Sequence, residues 1–428
     1  MPGPVVDAAA LEEAMARLGP IDVVVGIPSF NNADTIGQIV REIETGLGRH
    51  FPSRHGVIVH ADGGSTDGTA DRARATVSSP GALLQVPSPL YTAHLLAEPY
   101  HGLPGKGAAV HTVFLTAQRL GAKACVVVDV ETRSTLPDGI RNLVRPVVEE
   151  GFDYVAPRYS ARYDHCGGLA SSIVYPMTRA LYGKRFRQPV GGDLCVSEAF
   201  VNGLLARGPW DADVMQIGID SFAGAQALSG GYRICEAFLG STIPNPRTAG
   251  FDLSTMIAQV LGPIWREMGR TAGAWQKIHS SEGVPLFGQA HEAETEPASV
   301  DGRRLIDSFR MGYRNLQDLW GIVLPPSTLI DLKKLHLAAD DGFRFGDEIW
   351  ARTVYDFALG YHYRRMNQDQ LLRALTPLYL GWVASFVMEM KDAGLKQREE
   401  RIERLCAAYE AQKPYLISRW RLPDRFTP

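Results

Sequence analysis

The chain has 428 residues, of which 45% are hydrophobic and 21% are charged, and its formal net charge is -3. This composition is ordinary for a globular protein, and the length exceeds what one hydrophobic core usually supports, so we expect two domains. A slightly acidic chain has no broad electrostatic attraction for polyphosphate, so nucleic acid is not an expected partner.

Cysteine usage and apolar runs bear on the compartment. The five cysteines are scattered and form no C-x-x-C pair, which favours neither a zinc site nor a disulfide framework and fits a reducing compartment. The first 20 residues show no basic segment followed by an apolar run, and no uninterrupted apolar stretch reaches about 18 residues. We therefore expect a cytoplasmic protein without a secretory signal or a membrane span.

Strands and helices alternate along the first half of the chain. Short β-branched runs that end at turn residues predict buried strands at 22–28, 56–60, 124–129 and 154–156. Apolar residues at helical spacing predict helices at 31–47, 69–77 and 108–120. This alternation is typical of an α/β domain with a mostly parallel sheet.

The pattern changes after Ile243, and from Arg303 onward nearly every segment is typical of helix. The predicted C-terminal helices are 305–319, 327–337, 347–359, 368–390 and 396–409. Pro377 should kink or divide the fourth of them. The predicted parts are an N-terminal extension, a catalytic α/β domain, a linker and an all-α domain, at 1–20, 21–270, 271–302 and 303–428.

Two acidic residues, Asp129 and Glu131, stand where the predicted strand 124–129 ends. In a parallel α/β sheet the ligand crevice lies at the carboxyl ends of the strands. Carboxylate oxygens are hard ligands that suit Mg²⁺ or Mn²⁺, and such an ion binds a diphosphate. The pair taken alone is a weak signal and more typical of a polar turn, and its position after a buried strand is what strengthens the case for a metal site.

Turn residues follow the first two predicted strands. The segment from Pro28 to Asn32 follows the first, and the glycine-rich segment from Asp62 to Gly68 follows the second. Asp62 stands where a carboxylate can accept hydrogen bonds from a base or a ribose, and the glycines permit close approach of the backbone. Turn formation alone explains each segment equally well.

A glycine-flanked lysine, Lys106, precedes the predicted helix 108–120. A helix N-terminus with a lysine is a ready site for an anion. The spacing is not that of a phosphate-binding P-loop, so ATPase activity is disfavoured.

Two further segments carry carboxylates beside apolar or glycine residues. Gly191 and Gly192 precede Asp193, which can accept hydrogen bonds from sugar hydroxyls while the glycines let the backbone approach a sugar. Asp220 ends the segment Ile217–Asp220, an apolar setting in which a carboxylate is either a satisfied structural group or part of a site.

These features occur together and in chain order, and in that combination the sequence resembles retaining, family-2-like glycosyltransferases of the GT-A type. That group includes the synthases of mannosylglycerate, glucosylglycerate and glucosyl-3-phosphoglycerate. The resemblance covers about residues 21–265 and continues more weakly through the helical tail. The segments that carry it are Pro104–Gly107, Asp129 with Glu131, Gln188–Asp193 and Ile217–Asp220.

The resemblance implies a Rossmann-like GT-A domain that transfers glucose or mannose from a UDP- or GDP-sugar to a small hydroxy acid, giving a compatible solute with retained anomeric configuration. It implies a role for each motif. Pro28, Asn32 and Asp62 would face the nucleotide. Lys106 would contact the donor diphosphate or sugar, and Asp129 and Glu131 would flank Mg²⁺ or Mn²⁺, with Glu131 as the direct ligand. The residues around the sugar and acceptor would be Gly191, Gly192, Asp193 and Asp220.

The sequence departs from the family pattern at two positions. Glu131 stands where the family usually has Asp, and Asn245 stands where a metal-binding His is expected. Glu can bind a metal with a longer reach, and Asn offers a neutral oxygen that is adequate for Mg²⁺ but not equivalent to imidazole. Both departures bear on metal affinity.

The implied mechanism is electrostatic, with the metal and Lys106 stabilising charge on the departing nucleoside diphosphate. No protein nucleophile is needed, because a leaving phosphate oxygen can take the acceptor proton on the same face, and Asp193 and Asp220 would orient hydroxyls. Two alternatives stay open. A nucleotidyltransferase normally has a glycine-rich phosphate loop after the first strand, which Pro28 to Phe30 lacks. A degenerate sugar-nucleotide-binding scaffold would fit the Asn at 245.

Two further expectations concern the acceptor and assembly. Gly167–Ser171 contain no basic residue, although Arg158, Arg162 and His165 lie just upstream, so D-glycerate is expected ahead of 3-phosphoglycerate because a buried phosphate needs a cationic partner. An apolar stripe in the tail indicates either a homodimer interface or a helical cap that faces the core. Its members are Leu371, Leu375, Leu378, Trp382 and Phe386.

Overall fold

The computed structural model describes residues 20–78, 83–87, 105–130, 137–159, 168–208, 210, 214–240, 253–289 and 301–420. The strands in chain order, β1 to β10, are Val23–Ser29, Gly56–Asp62, Leu83–Pro87, Ala124–Val127, Tyr154–Tyr159, Lys184–Arg185, Leu194–Ser197, Ile234–Gly240, Glu282–Gly283 and Leu286–Phe287. The helices up to the middle of the chain, α1 to α9, are Ile36–His50, Thr69–Thr76, Lys106–Arg119, Pro137–Val148, Tyr175–Tyr182, Glu198–Arg207, Ile219–Ser229, Leu253–Arg270 and Ala272–Trp275. The C-terminal helices, α10 to α15, are Gly302–Val323, Pro326–Leu337, Asp347–His362, Gln368–Ala374, Thr376–Glu389 and Leu395–Trp420.

Eight of the described strands form one sheet in the order β10-β8-β5-β7-β4-β1-β2-β3. Every neighbouring pair is parallel except the two that involve β7, which runs antiparallel to β4 and β5. The half that runs β3-β2-β1-β4 has the strand order of a Rossmann-like nucleotide-binding unit. The predicted fold class, an α/β domain followed by an all-α C-terminal region, is confirmed.

The sheet is buried because its strands are apolar on both faces. All seven residues of β1 are buried. On one face, Val23, Val25 and Ile27 join a core built with residues of α1 and α4. On the other face, α3 approaches so closely that a Cβ atom at Gly26 would overlap the side chain of Val113. Helices on both faces explain why the strands are continuous apolar runs and not alternating ones.

The chain divides into two compact units that interleave along the sequence. The sheet unit consists of residues 1–162, 188–251 and 284–294, and the helical unit consists of 163–187, 252–283 and 295–428. The ranges expected from the sequence were contiguous, with a linker at 271–302. Strand β10 lies inside that range and pairs with β8, so part of the expected linker completes the sheet. Local sequence periodicity cannot reveal such returns of the chain.

In the helical unit, α13 ends at Ala374 and α14 begins at Thr376, with Pro377 in the first turn of α14. The predicted division at this proline is confirmed. The five apolar residues of the tail stripe are each at most 1% exposed. The stripe therefore faces the interior of the chain, and it no longer supports a homodimer, which stays a prediction.

Residues Gln368–Glu389 are the one candidate membrane span found among the described residues, judged by length and composition alone. This segment is not an uninterrupted apolar run, because polar residues divide it. Of its most apolar window 67% is buried, as is common for the core helix of a globular protein, so the segment is weak evidence for a span.

Two buried arginines and three glutamates form what we call the arginine cluster, which consists of Arg179, Arg187, Glu399, Glu403 and Glu410. The arginines come from the segment 175–187, and the glutamates come from α15. The guanidinium of Arg187 donates to both carboxylate oxygens of Glu399, at 3.2 and 3.0 Å. Arg179 donates to Glu403 at 2.5 Å and to Glu410 at 2.9 Å. Such forked pairs fix the geometry of both partners.

Candidate active site

Three parallel strands bring the predicted loops to one edge of the sheet. Strands β1 and β2 end in register at Ser29 and Asp62, and β4 pairs with β1 as far as Val127. Asp129, two residues further on, therefore lies beyond the same edge. In open α/β sheets this is the edge at which ligands bind.

Lys106 is placed at this edge by the two glycines that flank it. Gly105 has φ +70°, in the left-handed region where a side chain would be strained, and it forms the turn into α3. A Cβ atom at Gly107 would overlap the backbone of Val214 and Met215. The lysine thus lies in the first turn of α3, where the helix dipole is unfavourable for a cation and acidic neighbours are needed.

Those neighbours are two carboxylates from distant parts of the chain. The Lys106 Nζ atom lies 2.7 Å from Asp220 Oδ2 and 3.5 Å from Asp129 Oδ2, and the lysine is 5% exposed. Burial lowers the pKa of Lys106, but the charges of Asp220 and Asp129 outweigh burial and hold that pKa above its ordinary value. The ammonium group is therefore charged at neutral pH.

Asp193 completes the cluster and is almost fully buried. Its Oδ1 atom accepts a hydrogen bond from the backbone N–H of Asp129 at 2.9 Å, and its Oδ2 atom accepts one from the Tyr159 hydroxyl. Burial, with the charge of Asp129 in second place, raises the pKa of Asp193 to about 6, against the hydrogen bonds from Tyr159 and Asp129 and the charge of Lys106. We call Lys106, Asp129, Asp193 and Asp220 the site cluster.

The glycines before Asp193 have structural reasons to be glycine. A Cβ atom at Gly192 would overlap the carboxylate of Asp129, and one at Gly191 would lie 2.5 Å from a ring carbon of Pro157. The close approach that the sequence predicted is thus made to the protein itself. Contact of these glycines with a sugar stays a prediction.

The site cluster carries more acid than base. Three carboxylates surround one ammonium group, and Asp129 is the most exposed member, with 18% of its side chain accessible. Hard oxygen donors with excess negative charge fit a divalent cation in kind. Within the described residues no three His, Cys, Asp or Glu side chains are grouped to hold a metal ion by themselves. The other two predicted ligands, Glu131 and Asn245, lie outside the described residues.

The two loops that were predicted to face a nucleotide are joined to each other. The Asn31 backbone N–H donates to Ser65 Oγ, and the Thr66 N–H donates to Asn31 Oδ1. Asn32 is buried, and its side-chain oxygen accepts from the Phe30 N–H at 2.9 Å. Pro28 is buried within β1. These hydrogen bonds join the two loops, which we call the loop ledge, at the sheet edge, and their contact with a nucleotide stays a prediction.

Asp62 is held within the loop ledge. Its carboxylate accepts hydrogen bonds from the N–H groups of Gly64 and Ser65 and from the hydroxyl groups of Ser65 and Ser29. Ser29 Oγ also lies 2.7 Å from His60 Nε2, and both residues are fully buried. Burial lowers the pKa of His60, which favours the neutral imidazole. Because Asp62 contacts the serine and not the histidine, the three residues orient Asp62 and do not have the order of a hydrolase triad.

Sequence reasoning missed Tyr159, Ser29 and His60. Each lies within a predicted strand or just beyond it. At such a position no sequence pattern distinguishes a polar residue that supports the site from one that faces solvent. Strand β5 is buried almost throughout and its register shifts between Arg158 and Tyr159, so no alternation singles out Tyr159.

Comparisons with known proteins complete these observations. No protein-family model and no curated protein matches the chain. Among solved structures, the chain is similar to glucosyl-3-phosphoglycerate synthase from Mycobacterium tuberculosis in complex with Mn²⁺, UDP and glucosyl-3-phosphoglycerate, at 21% identity and a TM-score of 0.41 over 61% of this chain and 83% of that chain. The complex of that synthase with Mg²⁺ and UDP gives 21% identity and a TM-score of 0.41 over 64% and 85% of the two chains.

A structure described only as that of a mycobacterial protein gives 22% identity and a TM-score of 0.41 over 61% of this chain and 78% of that chain. One of the synthases in the group that the sequence motifs resemble is thus among the structures similar to this chain. At these values the similarity carries no argument about activity, which has to rest on the residues.

Proposed function

We propose that the protein is a glycosyltransferase that moves a hexose from a nucleoside diphosphate sugar to a small hydroxy acid, with retention of anomeric configuration. The observation that carries the proposal is the site cluster. A buried, charged lysine at a helix N-terminus lies within hydrogen-bond reach of Asp220 and Asp129, at the carboxyl edge of a Rossmann-like sheet. Preorganised cations and N–H groups stabilise charge that develops on a leaving diphosphate.

The chain's own residues divide the work. Lys106 and the N-terminal N–H groups of α3 bind the diphosphate, since both offer positive charge to an anion. Asp220 and Asp193 are fixed by Lys106 and Tyr159 and orient sugar and acceptor hydroxyls as hydrogen-bond acceptors. Asp62 and the loop ledge around it receive the nucleoside. None of these groups is required to attack carbon.

A divalent cation fits this scheme. Asp129, and Glu131 two residues later, would hold Mg²⁺ or Mn²⁺, with Asn245 as a further oxygen ligand. When bound, the ion supplies charge neutralisation to the leaving diphosphate.

The acceptor preference rests on the lack of a basic residue within the segment that begins at Gly168, since the nearby Arg187, which donates to Ser171 Oγ at 3.3 Å, is already paired with Glu399. The described residues 168–171 include no basic side chain, and Arg158 pairs with Glu236 at 3.4 Å. A buried phosphate dianion needs a cationic partner more than a carboxylate does. We therefore propose D-glycerate ahead of 3-phosphoglycerate. The opposite ranking of kcat/KM would contradict this part of the proposal.

The test is a panel of UDP- and GDP-hexoses with D-glycerate, read by release of UDP or GDP and by mass spectrometry of the product. We expect release of UDP or GDP that depends on the presence of the acceptor. Binding of a nucleotide sugar without release under any condition would indicate a scaffold instead. Release of pyrophosphate from a nucleoside triphosphate and a sugar phosphate would indicate a nucleotidyltransferase.

The proposed requirement for a divalent cation is tested separately. Glu131→Ala, or EDTA added to the unaltered protein, should abolish turnover while the thermal unfolding midpoint is unchanged. Glu149→Ala is the matched control, because Glu149 is an exposed acid that pairs with Arg145 on α4. Undiminished turnover in EDTA would remove the metal from the proposal.

A further inference from the structure

Helix α7 carries a buried hydroxyl group without a partner. Residues 219–227 of this helix are all buried. Ser221 is 1% exposed, and its Oγ atom has no hydrogen-bond partner among the described residues. A buried polar group in this state costs free energy unless a ligand or a water molecule binds it.

This hydroxyl differs from many others in and beside the described helices. Helical Ser and Thr side chains commonly donate to the carbonyl four residues back. Those that do so here include Thr112, Thr116, Thr178, Thr271, Ser308 and Thr353. For Ser221 that carbonyl belongs to Ile217, in the π-helical turn Val214–Gly218 that directly precedes α7. The changed hydrogen-bond spacing of such turns often marks functional sites.

Gln188 is a second buried group of the same kind. It is 3% exposed, and its Oε1 atom has no partner within the part of the chain that the structure describes. The next residue lies directly on α7, since a Cβ atom at Gly224 would overlap the carbonyl of Pro189. Ser221 lies one turn before Gly224 on the same helix face. Gln188 therefore precedes Pro189 in the loop and Ser221 precedes Gly224 by one helical turn, so the two residues flank one loop–helix contact.

This contact adjoins the site cluster on both sides. Asp220, the residue before Ser221, binds Lys106 at 2.7 Å. Gly191 to Asp193, which contact Pro157 and Asp129, follow Gln188 by three to five residues. Two neutral groups that both donate and accept thus stand beside charged groups that are already paired.

We propose that Ser221 and Gln188 are specificity residues that bind hydroxyl groups of the transferred hexose. This inference rests on the proposed function. Neutral, buried and preformed hydrogen-bonding groups discriminate against a ligand that lacks the matching hydroxyl, because such a ligand leaves them unpaired. The charged cluster binds the leaving group, whereas these two residues distinguish one hexose from its epimers.

The experiment measures binding of nucleotide sugars by calorimetry without an acceptor, so that it does not depend on turnover. The ligands are the preferred nucleotide hexose and its analogues that lack single hydroxyls. We expect one or two deoxy analogues to bind about 10-fold or more weakly to the unaltered protein. Ser221→Ala and Gln188→Leu should weaken binding of the full sugar similarly, but should not further weaken the analogue that lacks the matching hydroxyl.

Thr116→Val is the matched control, because Thr116 is a buried hydroxyl of the sheet unit that donates to the Thr112 carbonyl. It should leave the ratios between analogues unchanged. Ser221→Thr keeps a hydroxyl and should keep the preference even if Ser221→Ala unfolds. If both variants weaken every analogue by one common factor, the two groups bind structural water and the inference is wrong. Selective binding without any release of UDP or GDP would support this inference and contradict the proposed transferase activity. Failure of every nucleotide sugar to bind would overturn both the inference and the proposed function.

Discussion

The site cluster and the arginine cluster are both groups of buried ion pairs with more acids than bases, yet they differ in where the excess charge lies. In the arginine cluster the guanidinium groups are buried, but the three glutamate side chains are 33–47% exposed. In the site cluster the lysine and its carboxylates are all largely buried, with Asp220 and Asp129 at 11% and 18%.

The difference indicates which cluster is poised for a ligand. Water solvates the surplus charge of exposed glutamates, so the arginine cluster is complete as it stands. Buried carboxylates lack this solvation and need a proton or a further cation, which is why burial raises the pKa of Asp193. We infer that the arginine cluster fixes structure, whereas the site cluster is balanced only with a bound partner.

The largest effect should come from Lys106→Met. It removes the only cation of the site cluster and the binding group for the leaving diphosphate, so kcat/KM should fall on the order of 10³-fold. Steady-state kinetics with the preferred donor measures this loss. Lys123→Met is the control, because Lys123 pairs with Asp22 at 2.8 Å with 62% of its side chain exposed, and both activity and stability should change little. Near-normal turnover of Lys106→Met would remove the central argument for the function.

Arg179→Met should act on stability instead. It removes charged hydrogen bonds to Glu403 and Glu410, whose carboxylates stay partly solvated, so the free energy of unfolding should fall by about 1.5–3 kcal/mol. Urea denaturation measures the change, and kcat of the folded protein should stay near normal. A large loss of kcat at full stability would show that the two clusters do not differ as inferred.

Gly192→Ala probes the packing under Asp129. The added methyl group would overlap the Asp129 carboxylate and displace it. A displacement near 1 Å at a reacting centre costs about 10²-fold in rate. Kinetic assays should show this loss with a modest fall in the unfolding midpoint. Gly48→Ala is the control, since a Cβ atom there meets nothing within 4 Å, and normal kinetics in both variants would contradict the prediction.

The smallest expected effect concerns Asp356, a buried acid of the helical unit, and it is a change in how stability depends on pH. Burial raises its pKa to about 6, against Arg419 and the hydrogen bonds from Tyr415. The folded state then binds the proton more tightly than the unfolded state, whose pKa is about 4. Stability should therefore decline as the pH rises from about 4 to about 6 and level off above. In Asp356→Asn this decline should shrink, and an identical pH profile in both proteins would contradict the assignment.

Much of the fold follows from local sequence. The buried β-branched runs predicted β1, β2, β4 and β5, and Pro377 predicted the break between α13 and α14. These features depend on side-chain periodicity and on backbone geometry, which act over a few residues. The short strands of the sheet, such as β10, depend on a neighbouring strand to pair with, and residues 286–287 alone carry no such signal.

The candidate site divides in the same way. The sequence by itself singled out Lys106, Asp129, Asp193 and Asp220, since charged residues beside glycines or at strand ends are unusual enough to notice. Only the tertiary structure decided that they form one cluster, that Tyr159 holds Asp193, and that Ser221 and Gln188 are buried without partners among the described residues. Pairing, burial and a raised pKa depend on the distance between residues that are up to 114 positions apart in the chain, and that distance is set by the packing of the whole sheet.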